Sequence, residues 1–174
     1  PLICAGGGIF TANAERLLEQ FMQLTDIPVV NTMMGMSSVP ADNPLFYGMI
    51  GMHGVKSANY AINNCDLLIL LGARVGDRAV TAISRLEGAT VIHIDVDPAE
   101  IGKNLAATIP VVGDVKNILE QLLECAKNYD HYDWKQEINE VKKTQDKPIE
   151  AEPEGCVNPK AFIRLLGQKL PDNS

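Results

Sequence analysis

The chain has 174 residues, of which 46% are hydrophobic, 21% charged and 5% aromatic; that mixture buries one ordinary core and excludes a disordered chain, a collagen-like repeat or a small disulfide scaffold. Fifteen Lys and Arg against 22 Asp and Glu leave a net charge of −7, which repels nucleic acid and anionic lipid over most of the surface and leaves any phosphate-bearing ligand to be held by local groups. No apolar run approaches the roughly 20 residues of a bilayer span, and Pro1-Leu2-Ile3-Cys4 lacks the basic and long apolar stretches of a secretory signal, so a soluble cytoplasmic protein with no nucleic-acid or membrane partner is expected.

The chain opens on a strand without an initiating Met and stops after a helical segment, which suggests an excised domain. Short β-branched runs alternate with segments of helical period, the pattern of an α/β fold: a doubly wound, mostly parallel six-stranded sheet with helices on both faces. Pro1 to Ala5 reads as the first strand, Gly6-Gly7-Gly8 as a turn, and a helix follows from Thr11 or Asn13 to Thr25 with a stripe of Leu17, Leu18, Phe21 and Leu24. Ile27 to Asn31 is the second strand, and the 23 residues from Thr32 to Gly54 read as one long loop, a functional candidate by its length. A helix over Val55 to Asn64 leads to a fully buried strand from Asp66 to Leu71, then a loop, Gly72 to Arg78, and a strand from Thr90 to Ile94. Asp97-Pro98 opens a short turn, and Ile109 to Val112 forms a further strand. Asp114 is a good N-cap for a helix to Asn128 with a stripe of Val115, Ile118, Leu119, Leu122 and Leu123. A charged helix from Asp130 to Lys147 covers the domain, Glu150 to Gly155 is a linker, and Asn158-Pro159 starts a last helix. These boundaries divide the chain into a nucleotide-binding-like domain (1–128), a covering helix and linker (129–157), and the start of a following domain (158–174).

In a doubly wound sheet, ligands meet free backbone groups at the carboxyl ends of the strands, so topology selects the loops to inspect. Gly6, Gly7 and Gly8 stand at such an edge; they serve either as a tight turn or as exposed N–H groups touching phosphate or ribose. Asp95 follows Gly72 by 23 residues, close to the separation at which a carboxylate grips a ribose diol, whereas Asp97 is explained as the cap before Pro98. If the stretch is helical, Arg74 and Arg78, four apart, reach one side and could hold a pyrophosphate or carboxylate; the alternative is an exposed ion pair with Asp77. All six methionines fall between Met22 and Met52, and Met33, Met34 and Met52 suit either a flat ring system or packing against another domain. His53 has no second metal ligand at suitable spacing, His93 alternates within an apolar strand as a satisfied core histidine, and His131 is expected in solvent. Cys4, Cys65, Cys125 and Cys156 are spaced 61, 60 and 31 apart, which fits reduced thiols and no metal knuckle. No nucleophile stands beside a base and no carboxylate pair suggests hydrolysis, so the chain alone is expected to catalyse nothing.

The stretches Pro1 to Gly8, Pro28 to Gly35, Tyr47 to Gly54, Asp66 to Arg78 and Val91 to Asp114 resemble the central domain of thiamine-diphosphate-dependent enzymes, most closely that of the acetolactate synthase (acetohydroxyacid synthase) large catalytic subunits. The Gly-Met-His-Gly run at 51–54 and the Gly-Ala-Arg run at 72–74 are its most specific features. The resemblance implies three α/β domains in series, the outer two binding thiamine diphosphate and Mg²⁺ at the interface with a second catalytic subunit, and the middle one holding FAD. It further implies condensation of two 2-oxoacids with loss of CO2 in branched-chain amino-acid synthesis, a regulatory small subunit as possible partner, and a flavin with a structural role. Carried over residue by residue, FAD would pass Gly6, Gly7 and Gly8, Thr32, Met33 and Met34, Met52 and His53, then Gly72, Ala73, Arg74 and Arg78, with Asp95 and Val96 at a ribose and Asp114 and Val115 near adenine. Asp77 and Arg78 match positions lining the family's substrate channel. Val75 and Gly76 stand where the family usually has Phe and Asp, and neither the Gly-Asp-Gly…Asn-Asn thiamine motif nor the activating glutamate is present. Two other readings remain open: a scaffold of the same fold that binds nothing, and a middle domain holding ADP or NAD.

Overall fold

A computed structural model of the chain describes residues 1–76, 86, 88–145 and 155–170. Among them, strands β1 (Leu2–Ala5), β2 (Val29–Asn31), β3 (Phe46–Met49), β4 (Leu67–Leu71), β5 (Thr90–Asp95) and β6 (Ile109–Val112) form one parallel sheet in the order β3-β2-β1-β4-β5-β6. Register aligns side chains in rows: Val29, Ile3, Ile69, Ile92 and Ile109 lie side by side on one face, and Val30, Cys4, Leu70, His93 and Pro110 on the other. Because side chains alternate along a strand, these two rows feed two separate cores.

The first core, built on Ile3, Ile69, Leu71 and Ile94, is covered by helices α2 (Glu15–Thr25) and α4 (Val115–Cys125) through Leu18, Met22 and Leu119. The second, built on Leu2, Cys4, Leu68 and Leu70, is covered by α3 (Lys56–Asn64) and α5 (Tyr132–Gln145) through Ala58, Ile62 and Ile138. The covering helix α5 is therefore part of the core, and Asp26 fastens it by accepting the His131 N–H at 2.9 Å and the Lys135 ammonium at 2.6 Å. The last helix, α6 (Pro159–Lys169), is capped by Asn158 and buries no residue.

Two expectations are corrected, and a third lies beyond what the structure describes. The long loop contains β3, which pairs with β2 through an irregular register and carries Gly48 at φ +101°; its pattern is too short and too interrupted to announce a strand. The helix expected from Thr11 or Asn13 is two helices, a short α1 (Gly8–Thr11) and α2, separated where Asn13 takes φ +51°. The linker expected at 150–155 falls almost wholly outside the described residues.

Strand order fixes where a site can form. From β1 the chain steps to β2 and β3 on one side, and from β4 to β5 and β6 on the other, so the carboxyl edge between β1 and β4 is the point of reversal.

Candidate functional site

At that edge the ladder runs on past the strand ends. Ile50 N–H donates to Asn31 O (2.9 Å), Thr32 to Ala5 (3.0 Å), Gly6 to Leu71 (3.0 Å), Gly72 to Ile94 (2.9 Å) and Gly113 to Asp95 (3.0 Å), which gives a continuous rim. Gly8 N–H also donates to Gly72 O at 3.0 Å. A Cβ on Gly6 would stand 2.2 Å from Gly72 O, and one on Gly8 2.7 Å from Gly72 Cα, while Gly72 itself takes φ +53°. The glycine triplet thus lets two chains close on each other. Of the two readings left open, this favours the close turn at Gly6 and Gly8: their amides are spent on carbonyls, and Gly6 lies beneath the surface.

Above the rim lies an open cavity of about 810 Å³, within the roughly 300–1,000 Å³ usual for small-molecule sites. Every strand tip contributes to it: Met49 to His53 after β3, Thr32 to Met34 after β2, Gly7 and Gly8 after β1, Gly72 and Arg74 after β4, Asp95 and Val96 at β5, and Asp114 and Val115 after β6. Six strands at about 4.8 Å spacing make a trough roughly 24 Å long. Its chemistry grades along that length. Asp95 and Asp114 stand at one end, the exposed Arg74 near the middle, and the exposed methionines Met33, Met34 and Met52 with His53 at the other.

Asp95 is almost fully buried; its Oδ1 accepts the Asp97 N–H at 2.9 Å, which leaves Oδ2 without a hydrogen-bond partner among the described residues. Asp97 in turn accepts the Ala99 N–H at 2.9 Å, the cap role expected of it. Asp114 caps α4 by accepting the N–H groups of Lys116 (2.9 Å) and Asn117 (3.3 Å), so that helix terminus is already satisfied by its own side chain. Arg74 is exposed in irregular chain; Asp77 and Arg78, and with them the pairing expected across four residues, lie outside the described residues.

The sequence-derived set comes together with few exceptions: Gly7, Gly8, Thr32, Met33, Met34, Met52, His53, Gly72, Arg74, Asp95, Val96, Asp114 and Val115 line the cavity, and Gly6 and Ala73 are buried behind it. Sequence reasoning missed Thr11, Ala12, Met49, Ile50, Gly51 and Gly76. Only the glycines at 48, 51 and 54 signalled that a tight turn brings Ile50 and Gly51 to the edge.

His93 is buried but only half satisfied. Its Nδ1 accepts the Gly102 N–H at 3.4 Å, whereas Nε2 has no hydrogen-bond partner among the described residues. Burial pulls its pKa down, against the attraction of Asp95 two residues along the same strand face. His131, expected in solvent, is half-buried and stacks on Tyr129 with ring centroids 6.2 Å apart. Among the described residues no three His, Cys, Asp or Glu side chains gather as metal ligands, and no helix is long and apolar enough to cross a membrane.

The family model for the central domain of thiamine pyrophosphate enzymes matches residues 1–122. The chain is similar to a probable acetolactate synthase large subunit of Methanocaldococcus jannaschii, 44% identical over 181 positions that cover 98% of this chain and 29% of that protein. It is 38% identical to an acetolactate synthase of Mycobacterium avium, over 97% of this chain and 28% of that protein. The acetolactate synthase large subunit of Haemophilus influenzae is 40% identical over 82% of this chain and 26% of its own length. The chain spans less than a third of the length of these curated relatives.

Proposed function

The chain belongs to the family of thiamine pyrophosphate enzyme central domains, and from that premise we propose that its cavity holds FAD as the middle domain of an acetolactate synthase large subunit. The observation that carries the reading is the graded trough: carboxylates, then a guanidinium, then soft apolar side chains across six strand tips. The Oδ2 of Asp95, oriented by the Asp97 N–H on Oδ1, accepts from a ribose diol. Arg74 meets the diphosphate, with Gly7 and Gly8 allowing close backbone approach. Asp114 and Val115 border the adenine, and Met33, Met34, Met52 and His53 border the flat ring. The roughly 24 Å length favours a dinucleotide over ADP, which would leave the methionine end empty. An open cavity also argues against a scaffold that binds nothing. The chemistry such a group supplies is a planar, redox-capable ring, used here for shape because joining two 2-oxoacids with loss of CO2 moves no net electrons.

At the level of the whole protein, the relatives' names support acetolactate synthase activity; in this reading the enzyme condenses pyruvate with pyruvate or 2-oxobutyrate, with thiamine diphosphate and Mg²⁺ held outside this domain. Residues 1–145, with α5 packed into the second core, are then the cofactor-carrying domain and 158–174, whose helix buries nothing, begin the following one. A second catalytic subunit and a regulatory small subunit are the partners of this reading, and the cytoplasm its location. Arg78, which lies outside the described residues, is a further contact in this reading.

Two experiments test it. Protein equilibrated with equal FAD, NAD and ADP, separated from free ligand and denatured, is expected to release FAD; release of ADP or NAD alone overturns the flavin assignment. Residues 1–145, which include the core helix α5, grafted into the M. jannaschii relative are expected to preserve acetolactate formation from pyruvate, and a folded but inactive chimera counts against the assignment of the whole protein.

A further inference from the structure

We propose that Asn59 is a positioning residue for the cavity, gripping the backbone of Gly51 so that the Met52–His53 loop stands as a fixed wall for the flat end of a bound dinucleotide. The role rests on the dinucleotide reading above. Met52 is 67% exposed and His53 is exposed as well, so their own side chains do not anchor the loop by burial. Hydrogen bonds to its main chain do. Gly51 N–H donates to Asn59 Oδ1 at 2.8 Å, and Asn59 Nδ2 donates to Gly51 O at 3.0 Å, a two-point grip that fixes both position and orientation of one peptide. Gly51 takes φ +103°, and its carbonyl also receives the Gly54 N–H at 2.9 Å, which closes the turn that displays Met52 and His53. The grip is anchored, because Asn59 stands on α3 between Ala58 and Ala61 and Ile62, all at 0% exposure in the core.

A second carboxamide braces the neighbouring wall. Asn31, fully buried at the tip of β2, donates from Nδ2 to Gly35 O at 2.7 Å and so holds the Met33–Gly35 turn, while its main-chain carbonyl receives Ile50 N–H. The two methionine-bearing loops are thus referred to the same strand end, and Asn59 is the brace that belongs to the Met52 loop alone.

The test compares FAD and ADP binding to the wild-type chain and to Asn59→Ala, with amide hydrogen exchange as a readout that needs no ligand. Ala is the better helix former, so α3 is retained. Loss of the grip is expected to weaken FAD about tenfold and to leave ADP within about twofold of wild type, since the acidic end is untouched. Exchange is expected to quicken at Gly51–Gly54 and to stay unchanged at Met33–Gly35. Asn59→Asp, which keeps the acceptor for Gly51 N–H and loses the donor, is expected to fall between. Equal loss of FAD and ADP, or an unchanged FAD affinity in a variant whose wild type binds FAD, overturns the role of Asn59 alone. A wild-type chain that binds neither ligand overturns the dinucleotide reading, and this role with it.

Discussion

Gly6, Gly8 and Gly72 illustrate how little room the site leaves for substitution. A methyl group on Gly6 meets backbone at 2.2 Å, and backbone cannot swing aside as a side-chain tip can. Gly6→Ala is expected to destabilise the fold by about 2 kcal/mol, read as a lower urea midpoint. The thiols give a chemical test of the same packing. Burial pushes Cys4 up to about 12 and Cys65 up to about 11, while Cys125 and Cys156 are exposed. Under native conditions a thiol-alkylating reagent is expected to modify Cys125 and Cys156 and to spare Cys4 and Cys65 until denaturant is added, as mass mapping would establish. Residues whose chemistry is tied to their type were legible in the sequence: three glycines that admit close backbone, and one carboxylate at a strand end. Asn59 was not, because its effect depends on a fold that brings Gly51 against a helix eight residues away. The spent amides of Gly6 and Gly8 were equally hidden, since their partners, Leu71 and Gly72, lie far along the chain.

At the scale of elements, periodicity and caps carried most of the information. The α4 stripe and its Asp114 cap, and the Asn158 cap of α6, follow directly from local sequence. β3 and the break between α1 and α2 do not, because each depends on residues at positive φ whose conformation is stabilised by tertiary pairing. The junction between α2 and α5 offers a titratable test. Partial burial raises the Asp26 carboxyl, but the His131 N–H and the Lys135 ammonium outweigh it and hold the pKa below the usual 3.8. Stabilisation from such a group is complete above its unfolded pKa and is lost as pH falls through the lower folded value. Asp26→Asn is therefore expected to cost about 1 kcal/mol at pH 7, with the deficit shrinking as pH drops below about 4. Denaturant titrations of both proteins at pH 7 and pH 3 would measure it; a deficit that persists undiminished at pH 3 would assign the effect to shape and not to charge.

For the whole molecule, the decisive feature is that one sheet brings six strand tips to a single edge. Fold class was readable because alternating β-branched runs and helical periods admit few other arrangements. The order of strands and the grading of the trough were not, because pairing partners are set by register across the sheet and not by neighbours in sequence. A truncation in the second core tests how far stability rests on the central strand: Leu70→Ala, at 1% exposure on β4, is expected to cost about 3 kcal/mol in denaturant unfolding. The most direct measurement is an equilibrium titration of FAD against the wild-type chain and Asp95→Asn, a change that retains the Oδ1 acceptor for Asp97 N–H and removes the charge facing the sugar. One FAD per wild-type chain, and at least a roughly tenfold weaker affinity for the variant, is the expected result. Equal affinities, or a wild-type chain that takes up no FAD, would contradict it.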